Sequence, residues 1–276
     1  MIGDTLIGVV IPARNESEHI EKVTSTIPEY VDKVIVVDDG STDDTGNLVQ
    51  IGEVIRLEGE GVGAAIDAGH KRLLDLFDSD FVSVVIAGDG QMDPNDMFDV
   101  IQPILKNRAH HVKGERLDRV SKMPLFRQFG TILLGLLTTF ACGQTIRDPQ
   151  CGYTATSSKV LREWDWERSW KGYGYPNWWL MNLSKHGYKI RHIPVKAIYS
   201  GQASGIRIFS FLPKVSFMLL VGLHSRIISN TFTKPSVLIT FIWITYIAGW
   251  IYSPFLFIIT HFIDRFHVRS IIRNVT

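Results

Sequence analysis

Cysteine is scarce: Cys142 and Cys151 are the only two in 276 residues, too few for a disulfide framework or a cysteine-built zinc site. The chain therefore reads as one that faces a reducing compartment, with the cytosol as the expected location of its bulk. It also lacks a charge excess. Lys and Arg number 29 against 28 Asp and Glu, so no basic face is available to neutralise a nucleic-acid backbone, and nucleic acid is not an expected partner. The opening residues MIGDTLIGVVIPARNE carry an acid at Asp4 and lack the basic start and small-residue cleavage site of a secretory signal. Disorder is excluded by a composition that is 45% hydrophobic and 21% charged.

The apolar residues are unevenly spread. From Ser236 to Phe262 the chain reads SVLITFIWITYIAGWIYSPFLFIITHF, with one His and no other ionisable group apart from tyrosines. About 26 helical residues reach roughly 39 Å against a hydrocarbon layer of roughly 30 Å, enough for one tilted span and too short for two. Gly249, Ser253 and Pro254 leave a re-entrant pair open as the alternative. Trp243, Tyr246, Trp250 and Tyr252 suit a membrane interface. Upstream, Phe211 to Ile228 interrupts an apolar series with Lys214, His224 and Arg226, the composition of a helix in the headgroup layer or of an amphipathic core helix. Basic residues flank both ends of the long run, so charge bias leaves its orientation open. The expected organisation is a folded domain over 1–205, an interfacial segment over 206–230, a transmembrane segment over 236–262 and a basic tail over 263–276.

Within 1–205, short β-branched runs alternate with helical stretches, the pattern of an α/β fold with a mostly parallel sheet. LIGVVI (6–11), KVIVVD (33–38), EVIRL (53–57) and FVSVVIA (81–87) read as buried strands, with helices starting near Glu16, Asp43 and Val62. In such sheets ligands bind beyond the C-terminal strand ends. The loops there are PARNE (12–16), DDGSTDDT (38–45) and GDGQMDP (88–94), which crowd carboxylates on one edge. Ser41 and Asp43 could be helix caps. Asp38, Asp39, Asp89 and Asp93 together call for a cation or a bound polar ligand to balance them.

VVIPARNE, VIVVDDGSTDDT, GVGAAIDAGH and GDGQMDP, in this order and spacing, resemble glycosyltransferase family two with its GT-A fold, a Rossmann-like sheet flanked by helices. The resemblance implies a UDP- or GDP-sugar site. It places Pro12, Arg14 and Glu16 near the nucleoside, Asp38 or Asp39 at the base, Gly40, Ser41 and Gly63 along the nucleotide, and Asp89 at a Mg²⁺ or Mn²⁺ ion on the diphosphate. The family's Asp-x-Asp motif is broken here, because Ala87 stands at its first position; Gln91 is the second metal-ligand candidate, with Asp93 or Asp148 assisting.

HHVKGERL (110–117), MPLFRQFGTILLGLLTTF (123–140) and RDPQCGYTATS (147–157) resemble the subgroup that glycosylates polyprenyl phosphates such as dolichyl and undecaprenyl phosphate. That implies an enzyme anchored in a membrane, with its catalytic domain in the cytoplasm and Asp89, Arg116, Arg127 and Asp148 as its catalytic set. Arg116, Arg127 and Thr131 would meet the acceptor phosphate. Lys113 and Arg207 would meet the donor phosphates, although a solvated charge explains Lys113 and a linker explains the 201–207 stretch equally well. The tryptophans and tyrosines between Trp164 and Trp179 either stack on a sugar or pack in the core.

Three other readings stand beside this one. GEGVGA (59–64) follows a strand and opens a helix, as a dinucleotide-binding loop would. The missing acid at Ala87 allows a non-catalytic nucleotide-sugar-binding scaffold. A transferase using another lipid or a glycan as acceptor is the third.

Overall fold

The computed structural model describes residues 2–116, 125–196, 198, 208–233, 241 and 243–254. Arg207, the basic tail and most of the 236–262 run lie outside them, as do the side chains of Arg127 and Thr131. Two compact units divide the chain, Met1–His224 and Ser225–Thr276.

The β-branched runs become the centre of a seven-stranded sheet of order β3-β2-β1-β4-β6-β5-β7. Strands β1 (Leu6–Ala13), β2 (Lys33–Asp39), β3 (Glu53–Leu57) and β4 (Phe81–Val85) run parallel, with Val10 beside both Ile35 and Val85. Strand β6 (Thr154–Ser157) is antiparallel to its neighbours β4 and β5 (His111–Arg116), and β7 (Ile190–Val195) pairs parallel with β5. The exits of β1, β2, β4 and β5 and the entry to β6 therefore meet at one edge. One sheet face is covered by helices α1 (Ile20–Ser25) and α3 (Met97–Leu105), which bury Ile20, Val23, Met97, Val100 and Ile101 against the strands. The other carries α2 (Val62–Leu76), α5 (Ser158–Arg162) and α6 (Tyr175–Lys185). The helix expected from Asp43 is only a 3-10 turn, Thr45–Asn47. The helix expected from Glu16 starts at Ile20.

A third cluster joins α4 (Leu125–Cys142) and α6 to α7 (Ile208–Thr233), with Leu134, Ala141, Leu180, Met181, Val215 and Met218 buried in it. The opposite side of α4 leaves Ile132, Leu133, Leu136, Leu137 and Phe140 exposed, and α7 exposes Phe217, Leu220 and Val221. Among its described side chains, apolar residues of α7 thus lie both in the cluster and exposed. Residues 243–254 are helical, with Ile244, Ile247, Trp250, Ile251 and Tyr252 exposed. Among the described residues no helix is long and apolar enough to cross a membrane.

Trp164 stacks on Trp179 with ring centroids 3.9 Å apart, and Tyr175 and His70 pack around the pair, so these aromatics belong to the core. His70 and His111 are buried beside them, bonded to Ser83 and Thr156. Burial holds His70 down at about 3 and His111 well below its usual range. Both histidines fold as neutral rings, whereas the unfolded chain protonates them below about pH 6.5. Their contribution to stability is present above that pH and is lost as pH falls from there toward the folded value, at about 1.4 kcal/mol per pH unit for each. Thermal melts from pH 7.5 to 5 should show a falling Tm. The fall should be shallower in His70→Gln, because carboxylates common to both proteins cancel in the difference.

Candidate active site

The loops after β1 and β2 are laced together. The amide of Asn15 donates to Ser41 Oγ at 2.9 Å, that of Thr42 to Asn15 Oδ1 at 2.8 Å, and that of Glu16 to Thr45 Oγ1 at 2.7 Å. Pro12 is buried in β1, and its carbonyl accepts from Gly88, which ties the first loop to the one after β4. Asp38 and Asp39 are both buried: Asp38 Oδ1 accepts from Ser41 N at 2.9 Å, and Asp39 accepts from Glu60 N at 2.7 Å and Gly61 N at 2.8 Å. Gly40, at φ +70°, lets this turn pass the β3–α2 loop, since a Cβ there would stand 2.8 Å from Gly59 N. Exposed Arg14 lies over Gly59.

The β4 exit carries Asp89, whose Oδ1 accepts from the Gln91 amide at 3.0 Å. Burial pushes the Asp89 carboxyl up, offset by that amide and by the nearby His19. Burial and then the Asp89 charge push Glu16 up to about 7. Carboxylates are thus concentrated where a cation would relieve their mutual repulsion. Asp93 instead caps the following turn, accepting from Asn95 N at 2.9 Å and Asn95 Nδ2 at 2.8 Å, while Asp148 is engaged by Arg116. Among the described residues no group of three His, Cys, Asp or Glu could hold a metal. One carboxylate with the Gln91 amide still fits Mg²⁺, which keeps several waters and binds substrate phosphate oxygens rather than a full protein cage.

Arg116 closes the far side of this edge. Its Nε and Nη2 form a two-pronged pair with Asp148 at 2.7 and 3.0 Å, the carboxylate being 4% exposed and the guanidinium 23%. A guanidinium gripped along one edge is held in plane, the geometry suited to a second planar or tetrahedral oxyanion. Lys113 differs from the expectation of a phosphate contact. It is 1% exposed, faces inward from β5 and donates to the Cys151 carbonyl, so it is an interior residue.

Gly63 is also a packing position. Its amide donates to Lys171 O at 2.8 Å, and a Cβ there would lie 2.1 Å from Trp170 O. Gly63→Ala should therefore cost about 2–4 kcal/mol by overpacking against a backbone carbonyl, seen as a lower urea midpoint. The same carbonyl fills the start of α2 where a dinucleotide's pyrophosphate would sit, which removes the dinucleotide reading. Two partners were not singled out in the sequence. His19 stands three residues past Glu16, and Gln150 two past Asp148, a proximity that offered the one available signal.

A mostly parallel sheet covered by helices on both faces, with an acidic, laced edge, defines the class: a GT-A-like domain. A sequence model described as glycosyl transferase family 2 matches residues 8–165, and the chain belongs to that family. It is similar to the UDP-N-acetylglucosamine–dolichyl-phosphate N-acetylglucosaminyltransferase of Methanococcus voltae, 30% identical over 223 residues that cover 72% of this chain and 88% of the relative. The dolichol-phosphate mannosyltransferase of Pyrococcus furiosus is 27% identical over 172 residues, covering 56% of this chain and 47% of that one. The fold is that of glucosyl-3-phosphoglycerate synthase from Mycobacterium tuberculosis, solved with Mg²⁺ and UDP: the TM-score is 0.58 at 24% identity, covering 81% of this chain and 79% of that one.

Proposed function

We propose that this glycosyltransferase moves a sugar from a nucleotide-sugar donor, with UDP as the first nucleotide to test, to a polyprenyl phosphate at a membrane surface. The observation that carries the reading is the juxtaposition of the edge-gripped Arg116 with α4. That helix packs its Gly135 near the carbonyls of Ile146 and Arg147, just before Asp148, while its outer face leaves five large apolar residues to solvent. A phosphate-type grip beside an uncovered apolar helix suits an acceptor with an ionic head and an isoprenoid tail. The 236–262 run supplies the anchor in this reading, and the exposed sides of α4 and α7 rest in the interface. The dolichyl-phosphate acceptors named for the two relatives and the UDP complex of the structural neighbour support the choice of substrates.

A phosphate monoester is largely ionised near neutrality, its second pKa being about 6, so its oxygen attacks without a strong base. In a single displacement the acceptor phosphate oxygen forms its bond to the anomeric carbon as the bond to the nucleoside diphosphate breaks, with inversion. Asp89 and Gln91 would hold the divalent ion, which supplies neutralisation of the leaving diphosphate. Arg116, with Arg127 and Thr131, orients the acceptor phosphate. Arg14, Glu16, Ser41 and the Asp38–Gly40 turn shape the nucleoside side, and Arg207 serves the donor phosphates.

Incubating membranes bearing the protein with labelled UDP- and GDP-sugars and polyprenyl phosphate tests this. Label is expected in a mild-acid-labile, organic-extractable lipid, and EDTA should abolish it. Nucleotide binding without lipid product from any donor would favour the scaffold or another acceptor.

A further inference from the structure

Asn177 is fully buried, the one buried amide among the large apolar residues of α6, and its hydrogen bonds run outward in two directions. Its Oδ1 accepts from Gln150 Nε2, and its Nδ2 donates to Thr138 Oγ1 at 2.8 Å. The Thr138 hydroxyl passes the chain on to the Leu134 carbonyl at 2.7 Å, inside α4. A buried polar relay thus joins the 148–151 loop to α4 through one amide. At the loop end Gln150 stands two residues from Asp148, which grips Arg116. At the helix end Arg127 lies 11 residues before Thr138, about three turns along the same helix. Asn177 thus ties the loop that carries Asp148 to α4, the helix on which Arg127 stands.

We infer that Asn177 is a positioning residue that fixes the height of α4 against the Asp148 loop, so that the acceptor phosphate met by Arg116 lies in register with α4. The inference rests on the proposed acceptor. The physical reason is the cost of leaving a buried donor unmatched: a slide of α4 by one residue, about 1.5 Å, would carry the Thr138 hydroxyl away with its own helix and strand the Asn177 amide. Apolar contacts alone tolerate such slides, because Leu134 and Ala141 would find other neighbours in the cluster around Met181 and Leu180. A purely packed helix would hold its place less sharply than catalysis needs, since a misplacement on the order of 1 Å is costly in rate. Just past the end of α4, Gln144 Nε2 donates to Ser184 Oγ of α6, a second tie that keeps the pair together when the relay is cut.

The test compares wild type with Thr138→Val, Asn177→Leu and the double variant, in membranes, measuring the KM for polyprenyl phosphate, the KM for the donor, Mn²⁺ affinity and Tm. Each single variant should raise the acceptor KM by about tenfold, while the donor KM and Mn²⁺ affinity stay within about twofold. In the double variant, where apolar groups face each other, Tm should recover while the acceptor KM stays high. Recovery of the acceptor KM together with Tm, or a parallel rise of both KM values, would mean that the relay serves stability alone. If wild type itself makes no glycolipid while binding nucleotide, the acceptor reading fails first and the inference falls with it.

Discussion

Asp89→Asn is expected to lower transfer by about three orders of magnitude and to remove Mn²⁺ binding, with UDP binding in the absence of metal little changed. The size follows from the role. In the proposed site Asp89 is the carboxylate of the β4 loop assigned to the metal, because Ala87 stands at the motif's first position, Asp93 caps a turn and Asp148 grips Arg116. Losing it removes the anionic anchor of the ion that would neutralise the leaving diphosphate, an effect worth several kcal/mol. Asparagine keeps the shape and the hydrogen bond from the Gln91 amide, so folding should survive, and Tm with a Mn²⁺ titration monitored by electron paramagnetic resonance separates the two effects. Glu16 offers an internal check. With one of the charges that push it up removed, its titration midpoint should drop from about 7 in a carboxyl-labelled NMR titration, by a part only, since burial is the larger cause. Full activity in the variant would remove Asp89 from the chemistry.

The second large effect is expected at the Arg116–Asp148 pair. Asp148→Asn keeps the size of the side chain but gives up the charge that holds both guanidinium nitrogens, and Arg116→Lys replaces a planar fork by a point charge. Both should lower kcat/KM for the acceptor about a hundredfold with donor affinity nearly unchanged. Asp148→Ala should in addition lose about 3 kcal/mol of stability, because it leaves a partly buried guanidinium without its carboxylate. Steady-state kinetics with the acceptor varied at saturating donor distinguish these from a general loss of folding. Equal losses toward donor and acceptor would place the pair in the scaffold instead.

The sheet's left half was legible because its chemistry is simple. β3 and the start of α2 fall where the β-branched run and the glycines placed them, at Glu53–Leu57 and Val62. Where side chains compete with the backbone, the pattern misleads. Asp43 accepts from Thr45 N at 3.0 Å and Ser17 N at 3.2 Å, and this local bonding holds a turn where a helix was expected. Strand β6 carries the antiparallel crossing in the four residues TATS, too short and too polar to announce a central strand. Lys113 shows the limit for the site. A lysine in HVKGER reads as a surface cation, and only the pairing of β5 between β6 and β7 turns it inward to the Cys151 carbonyl. Asp89 and Arg116 were singled out by their motifs, and both stand at the same strand-end edge of the sheet. Their partners were set by tertiary contact, and no spacing in the chain records that Asp148 would choose Arg116 over a metal.

The most direct test is a competition between acceptors in one reaction. The protein in its membrane is given labelled UDP-sugar, Mg²⁺, a polyprenyl phosphate in vesicles and a water-soluble phosphate ester at equal concentration, and the product is identified by phase partition and mass spectrometry. The account predicts label in a polyprenyl-phosphoryl sugar of inverted anomeric configuration, lost with EDTA and in Asp89→Asn. Label confined to the aqueous ester, or glycolipid formed at full rate without metal, would contradict it.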